Sequence, residues 1–425
     1  MADGDTIFAN SSGSPPAAIA VIRISGARAH DAAERLAGPL PPPRRAAVRK
    51  LKGSDGLLLD EALVLRFDSP ASATGEDLVE LHCHGGRAVV AAVLAALSTF
   101  PHCRLAEPGE FTRRALSAGR IDLTEAEGLA DLLEAETEAK RRAAMGVAGG
   151  GLRRLIAGWR ERVVGLSAQA EAAIDYVGDE DETALDTGAL VTAARELADE
   201  WKGWLARPRS DVLRRGARVV LAGPPNSGKS SLLNALAGEE RAIVADEAGT
   251  TRDVIEVPLA IGGLPIVLVD TAGIRPTDQH VERIGVERAL VQVDFADVVL
   301  WLGNEESRPT HPRVIPIHAQ ADVRPGPPPD RIAVSVVTGE GLTSLLHAIR
   351  RFVETVVPPE DQLALNQRHA DLLEQAAGAL EGVSTDLVIL AEQLRQARSL
   401  LDKITGRSGT EEMLDALFSR YCLGK

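Results

Sequence analysis

Residues 223–230 read GPPNSGKS and match the phosphate-binding pattern G-x-x-x-x-G-K-[ST], with Lys229 and Ser230 at its end. Glycines let the backbone curl so that successive N–H groups face one oxyanion, and a following helix adds the positive end of its dipole. Lys229 would reach the β- and γ-phosphates of a nucleotide, and the Ser230 hydroxyl would take a position on Mg²⁺. The alternative is a glycine-rich turn that matches the pattern by chance.

Two further polar stretches follow in the order that such a site needs. Residues 246–253 contain Thr250 and Thr251, in a loop of the kind that orders around a γ-phosphate and Mg²⁺. An apolar run then ends in residues 270–273, DTAG, which places a carboxylate near the metal and a glycine N–H near the γ-phosphate. This order favours a translation-factor-like GTPase over a generic ATPase. Ile274 stands where Ras-like enzymes have a water-positioning glutamine, so hydrolysis must recruit another group.

Recognition of the base is predicted to be weaker than recognition of the phosphates. Residues 319–322 read AQAD where the GTPase motif Asn-Lys-x-Asp is usual. Asp322 can accept hydrogen bonds from guanine N1 and N2, whereas Ala319 supplies no amide and Gln320 lacks the stem and charge of a lysine. Ser335 opens the sequence SVV at a place where Ser-Ala-Lys is common.

The elements that must position these residues are strands with a helix directly after the phosphate-binding pattern, which favours an α/β unit. Gly262 and Gly263 separate two strand-like runs and predict a hairpin. Residues 303–313 are a short connection for a crossover helix. The predicted elements are a strand at 218–222, a helix at 231–236, and strands at 254–261, 264–269, 297–302 and 314–318.

The first 118 residues predict a compact α+β unit. A turn at residues 54–56 favours a hairpin. His82 and His84 are candidate zinc ligands on one face of a strand, but no third ligand accompanies them, which makes zinc the less favoured interpretation. The predicted elements are strands at 18–25, 61–67 and 78–82 and helices at 29–37 and 88–97.

Helical spacing dominates on both sides of the nucleotide-binding stretch. Thr124 and Glu127 predict a capping box at a helix start, and residues 149–151, all glycine, predict a break. Helical patterns recur at about 184–205 and from 361 onward. We therefore predict a multidomain chain: an N-terminal α+β domain at 1–118, an all-α helical-bundle domain at 119–210 and 356–425, and an inserted Ras-like α/β P-loop G domain at 211–355.

Composition limits the class of protein. The chain has 425 residues, of which 45% are hydrophobic and 25% charged, and its net charge is −14. No apolar run approaches the roughly 18 residues of a membrane span, no signal-peptide layout is apparent, and the cysteines form no disulfide framework. These features favour a cytoplasmic protein. Basic stretches at 44–52 and 140–142 could contact RNA, but solvated surfaces are the favoured interpretation.

Taken together, the motifs resemble those of the tRNA-modification GTPase family MnmE, also called TrmE. The resemblance covers nearly the whole chain. Beyond the three nucleotide motifs, it includes the following stretches: RISG at 23–26, TGED at 74–77, HGG at 84–86, PGEFT at 108–112, VERIGVERA at 281–289, LNQRH at 365–369 and YCLGK at 421–425.

The resemblance implies an N-terminal folate-binding and dimerising domain, a helical domain and an inserted G domain. It implies a homodimer that forms a heterotetramer with a flavoprotein, MnmG, and acts on tRNA. The reaction would install a 5-aminomethyl-type group, carboxymethylaminomethyl, on the wobble uridine U34, with 5,10-methylene- or 5-formyl-tetrahydrofolate as one-carbon donor. GTP would be hydrolysed with Mg²⁺, and K⁺ would stand in place of an arginine finger.

The resemblance also implies roles for residues at matching positions. Glu282 matches a catalytic glutamate that positions water, and Cys422 either acts as a nucleophile or only packs. Folate contacts fall on Arg23, Glu80, Arg120 and Lys425. Mg²⁺ ligands fall on Ser230 and Thr251, and K⁺ ligands fall on Asn226, Ala245, Glu247 and Thr250. GTP contacts fall on Asn226, Ser227, Gly228, Lys229, Ser230, Ser231, Ala245, Asp246, Glu247, Ala248, Gly249, Thr250, Thr251, Asp270, Thr271, Ala272, Gly273, Asp322 and Ser335.

A hypothesis of another class is a regulatory GTPase switch that binds RNA or assembles ribosomes without modification chemistry. The matching folate positions and the C-terminal Cys-x-Gly-Lys favour the modification enzyme, because a pure switch needs neither.

Overall fold

The computed structural model describes residues 4–175, 187–239, 255–270, 292–324, 326, 328–359 and 362–407, together with Leu414, Leu417, Phe418, Tyr421 and Gly424. The chain folds as two compact units, one of Met1–Ala130 with Thr405–Lys425 and the other of Asp131–Ile404. Among the described helices, none combines the length and apolar character that crossing a membrane requires.

The first unit is built on a six-stranded sheet in the order β3-β4-β5-β2-β1-β6, in which only the β1–β6 pair is parallel. Helices α1 and α2 cover one face, and the alternation of the strands buries Ile22, Val64 and Leu81 beneath them. The strands are β1 Thr6–Asn10, β2 Ile19–Ser25, β3 Ala46–Lys52, β4 Leu58–Phe67, β5 Leu78–His84 and β6 Cys103–Leu105, and the helices are α1 Ala29–Ala37, α2 Arg87–Ser98, α3 Glu110–Ser117 and α4 Leu123–Leu133.

The sequence predicted β2, β4, β5, α1, α2 and the hairpin between β3 and β4, but it did not predict β1 or β6. The predicted capping box was wrong. Asp122 Oδ1 accepts from the backbone N–H of Glu125, and Glu125 Oε2 accepts from the backbone N–H of Asp122, so the reciprocal pair lies two residues earlier. Thr124 is buried and donates its hydroxyl to Asp122, because it lies within the first turn of α4 and does not precede it.

The second unit contains a helical bundle and a second six-stranded sheet. Its helices are α5 Glu138–Ala148, α6 Gly151–Asp175, α7 Thr187–Leu205, α8 Asp211–Arg215, α9 Lys229–Glu239, α10 Leu342–Val353, α11 Gln367–Ala379 and α12 Leu387–Ile404. Its strands are β7 Ala217–Ala222, β8 Ile255–Ile261, β9 Leu264–Asp270, β10 Val298–Trp301, β11 Val314–Ala319 and β12 Ile332–Val334.

Helices α6, α7, α11 and α12 form the bundle, and they come from both sides of the sheet in the sequence. Trp159 and Trp201 lie in its core with their ring centroids 6.1 Å apart and edge-on. Trp159 Nε1 donates to Glu200 Oε1 at 2.7 Å, which satisfies the indole within the bundle. The predicted break at the glycines is confirmed between α5 and α6, where Gly150 has a φ of +76°. The sheet domain is therefore inserted into the helical domain.

The inserted sheet has the order β12-β11-β10-β7-β9-β8, and only the β8–β9 pair is antiparallel. The predicted hairpin at Gly262 and Gly263 is confirmed, since both have positive φ and join β8 to β9. A parallel sheet whose central strand is followed by a phosphate loop and a helix is the Ras-like arrangement that the sequence predicted.

The connection from β10 to β11 contains only the 3-10 turn Glu305–Ser307, as the short segment indicated. Trp301 covers the adjoining face of the sheet, and its Nε1 donates to the carbonyl of Asn304 at 2.9 Å. His311 adds bonds to the backbone of Arg313 and Ala296, both at 3.1 Å. Trp301 at the end of β10, held by the connection, therefore protects a face that a crossover helix covers in longer domains.

Candidate functional site

The phosphate-type loop lies between the end of β7 and the start of α9. Its turn requires unusual backbone conformations, with φ of +154° at Gly223, +59° at Asn226 and +96° at Gly228. A Cβ on Gly223 would lie 3.1 Å from the Cβ of Leu302, so a side chain there would crowd the residue that follows β10. Glycine and asparagine tolerate such conformations best, which explains why this sequence forms this loop. The N-terminal N–H groups of α9 open into it, as an anion site requires.

Lys229 is buried in this loop and donates to two of its carbonyl oxygens, that of Gly223 at 2.9 Å and that of Pro224 at 2.8 Å. Burial lowers the pKa of Lys229, while the charge of Asp270 acts in the opposite direction. Ser227 Oγ is also buried, and no described residue gives it a hydrogen bond. A buried ammonium and an unsatisfied hydroxyl together fit an oxyanion ligand in the loop.

Ser230 and Asp270 come together at the carboxyl ends of neighbouring strands. Ser230 Oγ donates to Asp270 Oδ2 at 2.6 Å, and Asp270 is 1% exposed. A hydroxyl and a carboxylate are oxygen donors of the kind that Mg²⁺ prefers, so these residues fit the predicted metal. The other predicted Mg²⁺ ligand, Thr251, lies outside the described residues.

A pocket of about 300 Å³ adjoins the loop, lined by Gly228, Ser231 and residues around the end of β11. Asp322 lies in it, and its Oδ1 accepts a hydrogen bond from the fully buried Ser335 at 2.7 Å. The structure therefore brings together Asp322 and Ser335, two residues that were predicted to lie near the guanine base. The sequence missed the apolar part of the lining, above all Val323, because nothing in its neighbourhood marks it as a wall of a pocket.

Several predicted residues lie outside the described part of the chain. They comprise Ala245, Asp246, Glu247, Ala248, Gly249, Thr250, Thr251, Thr271, Ala272, Gly273, Glu282, Cys422 and Lys425. Of the predicted K⁺ ligands, Asn226 is described, and its left-handed conformation lies in the phosphate loop itself.

The predicted folate residues lie in the first unit. Arg23 and Glu80 face each other across β2 and β5 and form an ion pair, with Nη2 and Oε1 2.8 Å apart. The Arg23 guanidinium also lies 5.7 Å from the ring centroid of Phe111. Arg120 follows α3, and its stem packs beside Gly75, where an added Cβ would lie 3.3 Å from Arg120 Cγ. The region therefore offers charged groups of both signs, while the ring of Phe111 is buried.

A partly buried polar network in the same unit was not predicted from the sequence. Ser25 Oγ lies 2.6 Å from Thr74 Oγ1 and donates to Glu76 Oε2 at 2.8 Å. Arg114 Nη1 donates to Glu76 Oε2 at 3.1 Å, and its Nη2 donates to Glu110 Oε1 at 3.0 Å. The spacing of Glu110 and Arg114 along one helix turn was the one signal that could have indicated it.

The geometry gives little support to the alternatives of zinc binding and RNA binding. His82 pairs with Glu80 at 3.4 Å and His84 pairs with Asp60 at 2.7 Å, so different carboxylates hold the two rings. Cys83 between them is buried, and burial raises the pKa of its thiol to about 12. In the second basic stretch, Arg141 and Arg142 both bind Glu138.

The chain is similar to known proteins over nearly its whole length. The family model described as MnmE helical domain matches residues 123–422, and the one described as GTP-binding protein TrmE N-terminus matches residues 6–120. The tRNA modification GTPase MnmE of Erythrobacter litoralis is 53% identical over 424 residues, covering 99% of this chain and 100% of that protein. The protein of the same name from Sphingopyxis alaskensis is 50% identical over 421 residues, with 95% and 100% covered. That of Novosphingobium aromaticivorans is 48% identical over 436 residues, with 99% and 100% covered.

Proposed function

Because the chain belongs to the MnmE family of tRNA modification GTPases, we propose that it is a K⁺-dependent GTPase that modifies the wobble uridine U34 of certain tRNAs. As a member of that family it is a GTP hydrolase that acts in tRNA modification. With the flavoprotein MnmG, it installs the carboxymethylaminomethyl group, a 5-aminomethyl-type modification. The one-carbon unit comes from 5,10-methylene- or 5-formyl-tetrahydrofolate.

The observation that carries the proposal is the 2.6 Å hydrogen bond from Ser230 to Asp270. It connects the phosphate loop to a carboxylate at the carboxyl end of a neighbouring strand. Lys229 already points its ammonium at the loop, where its bonds to carbonyl oxygens can be exchanged for bonds to phosphate oxygens. Ser227 Oγ, buried and without a described partner, gains an acceptor when an oxyanion enters.

Two cations belong to this proposal. Ser230 and Thr251 would bind Mg²⁺, with Asp270 adjacent to Ser230. Asn226 would bind K⁺ through its side-chain carbonyl, together with oxygens of Ala245, Glu247 and Thr250. Positive charge beside the phosphates stabilises the charge that develops during hydrolysis.

Residues beyond the phosphate loop complete the catalytic proposal. The GTP site extends through residues 245–251 and 270–273 to Asp322 and Ser335 at the base. Glu282 positions the attacking water, a task that the apolar Ile274 cannot perform. Cys422 is the candidate nucleophile of the modification reaction.

The first unit supplies the folate side of the proposal. The folate contacts are Arg23, Glu80, Arg120 and Lys425, and the 2.8 Å Arg23–Glu80 pair supports a site that combines charge of both signs. We propose that this N-terminal domain, at 1–118, also forms the homodimer, to which MnmG adds to give a heterotetramer. The G domain at 211–355 then interrupts a helical domain formed by 119–210 and 356–425, and the protein acts on tRNA in the cytoplasm.

The proposal is tested by two measurements. GTP turnover in equal concentrations of KCl and NaCl should be several-fold faster in KCl, and equal rates would contradict the role of K⁺. Mass analysis of tRNA nucleosides from a strain lacking this protein should show loss of the wobble modification, restored by the wild-type chain. Normal GTP turnover with unchanged nucleosides would instead support a regulatory switch.

A further inference from the structure

We propose that Gln320 is a further base-binding residue of the nucleotide site, with its side-chain amide donating a hydrogen bond to N7 of guanine. This inference rests on the proposed GTP-binding function and assigns one residue within it. It concerns a position at which this chain departs from the usual motif, since glutamine here follows an alanine that has no hydrogen-bonding side chain.

The pocket beside the phosphate loop has room for a base and offers few polar groups. Its volume is about 300 Å³, and its polar side chains in the described part of the chain are Ser231, Gln320 and Asp322. The remaining lining is apolar and comprises Gly228, Leu232, Ala319, Val323, Val334, Val336 and Val337. Apolar walls suit the faces of a purine ring, so the few polar side chains must distinguish one base from another.

A tight turn fixes the position of Gln320. Its φ is +60°, and its carbonyl accepts from the N–H groups of Val323 at 3.0 Å and Arg324 at 2.9 Å. The side-chain Nε2 lies 4.0 Å from the place that a Cβ on Gly228 would occupy. The amide of Gln320 therefore lies at the loop side of the pocket, next to Ala319, whose Cβ is 3.9 Å from the same place.

Asp322 supplies the acceptor of the pocket in a fixed orientation. Ser335 Oγ accepts from the backbone N–H groups of Val337 at 3.3 Å and Thr338 at 3.2 Å, which directs its own proton to Asp322 Oδ1. A carboxylate offers about four lone-pair sites, so Asp322 keeps the capacity to accept from two further donors.

Guanine is the base whose edges complement this pair of side chains. It carries N1–H and N2–H donors on one edge and the N7 and O6 acceptors on the other. With the first edge on Asp322, an acceptor edge remains for the amide of Gln320. Adenine would place its unprotonated N1 against the carboxylate, which is repulsive, and it has no donor at position 2 to replace the lost contact.

The experiment removes the acceptor of the proposed hydrogen bond in the nucleotide and, separately, its donor in the protein. Binding of GDP and 7-deaza-GDP, which lacks the N7 acceptor, is measured by calorimetry on the full chain, for wild type, Gln320→Gly and Gln320→Glu. Glycine suits the positive φ of this position and removes the amide without strain, while glutamate keeps the shape and removes the donor. Gln396→Ala, on the exposed surface of α12, is the matched control.

We expect wild type to bind GDP about 2–10-fold more tightly than 7-deaza-GDP, the range of one neutral hydrogen bond. Both Gln320 variants should lose this preference, and the control should keep it. Equal binding of the two nucleotides by wild type would overturn the assignment of Gln320 and leave the GTP-binding function intact. Equal weakening of both nucleotides by Gln320→Gly would also overturn it. If neither nucleotide binds to wild type, the proposed function itself fails.

Discussion

Ser230 Oγ donates a 2.6 Å hydrogen bond to Asp270 Oδ2, which joins the loop after β7 to the carboxyl end of β9. Strands β7 and β9 are parallel neighbours with Leu221 opposite Asp270. The segments that follow them therefore leave the sheet at the same end, that of the carboxyl ends of the strands. Ligands of open parallel sheets bind at this edge, where the chain offers N–H groups and polar side chains. The pair thus ties the phosphate loop to the carboxylate that would stand beside a metal ion.

Replacing Ser230 by alanine removes the hydroxyl while leaving the loop glycines in place. We expect GTP turnover to fall at least about tenfold, since removing groups that support a bound metal commonly costs about 10–100-fold in affinity or activity. The decrease should be smaller at high Mg²⁺ concentration, which a titration of turnover against Mg²⁺ measures. Ser98→Ala, at the exposed end of α2, is the control and should not change turnover. A turnover of Ser230→Ala equal to wild type would exclude this hydroxyl as a metal ligand.

Glu282→Ala tests the residue proposed to position water. Hydrolysis should fall by about 10²–10⁴-fold, the usual contribution of a positioned acid or base. The dissociation constant for GDP should stay within about twofold, because the loop and Lys229 provide the phosphate contacts. Single-turnover hydrolysis and calorimetry of the same preparation separate the two effects. A variant that no longer bound nucleotide would show that Glu282 has a structural role.

The phosphate loop and the strands around it could be predicted because their signals are local. Loop 223–230 carries its own glycines, and Gly262 with Gly263 marks the hairpin within a short stretch of sequence. The helical bundle could be predicted only in outline. Helical spacing identifies the helices, but the packing of Trp159 on Trp201 depends on which helices meet.

The base pocket could not be predicted in detail because its contacts join residues far apart in the sequence. Asp322 was recognised from its motif, yet the bond that orients it comes from Ser335, after the next strand. Likewise, the role inferred for Gln320 follows from a left-handed turn that brings its amide to Gly228. Residue types alone indicated a defective motif, whereas the geometry shows where another amide lies.

Glu110 gives a prediction for pH dependence in the first unit. It is 3% exposed and bonded to Arg104 and Arg114, with Glu110 Oε1 2.7 Å from Arg104 Nη2. Burial alone would raise the pKa of Glu110, but hydrogen bonds from Arg104, the N–H of Glu107 and Arg114 outweigh it and lower the pKa below its ordinary value of 4.5. The charged form therefore stabilises the fold above pH 4.5, and this contribution is lost as the pH falls through the lower, folded value.

Glu110→Gln should reduce the stability of the first unit by about 1–3 kcal/mol near neutral pH, because two arginines lose their charged partner. The difference from wild type should shrink as the pH falls below 4.5. Hydrogen exchange of peptides from β1 and α3, measured in the full chain at several pH values, reports this unit. Glu138→Gln is the control, since Glu138 is an exposed partner of arginines and its loss should change stability little. A difference that stayed constant down to pH 3 would contradict the assignment.

The short connection after β10 depends on a glycine. A Cβ on Gly303 would lie 2.3 Å from Cζ2 of Trp301, too close for any side chain unless the indole moves. The indole covers the sheet face and donates to the carbonyl of Asn304, so it has little freedom to shift. Gly238 is the opposite case, because it lies in α9 with no atom within 4 Å of an added Cβ.

Gly303→Ala should therefore destabilise the inserted domain by about 1–3 kcal/mol, the usual cost of forcing extra volume into a packed site. Gly238→Ala should stabilise it by about 0.4–1 kcal/mol, because alanine restricts the unfolded chain and favours the helix. Both changes are measured in the full chain by urea unfolding, with hydrogen exchange of peptides from β10 and α9 as the readout. The tryptophan fluorescence of the folded chain should shift only in the first variant, since only there must the indole of Trp301 move. A Gly303→Ala variant as stable as Gly238→Ala would show that the connection can repack without cost.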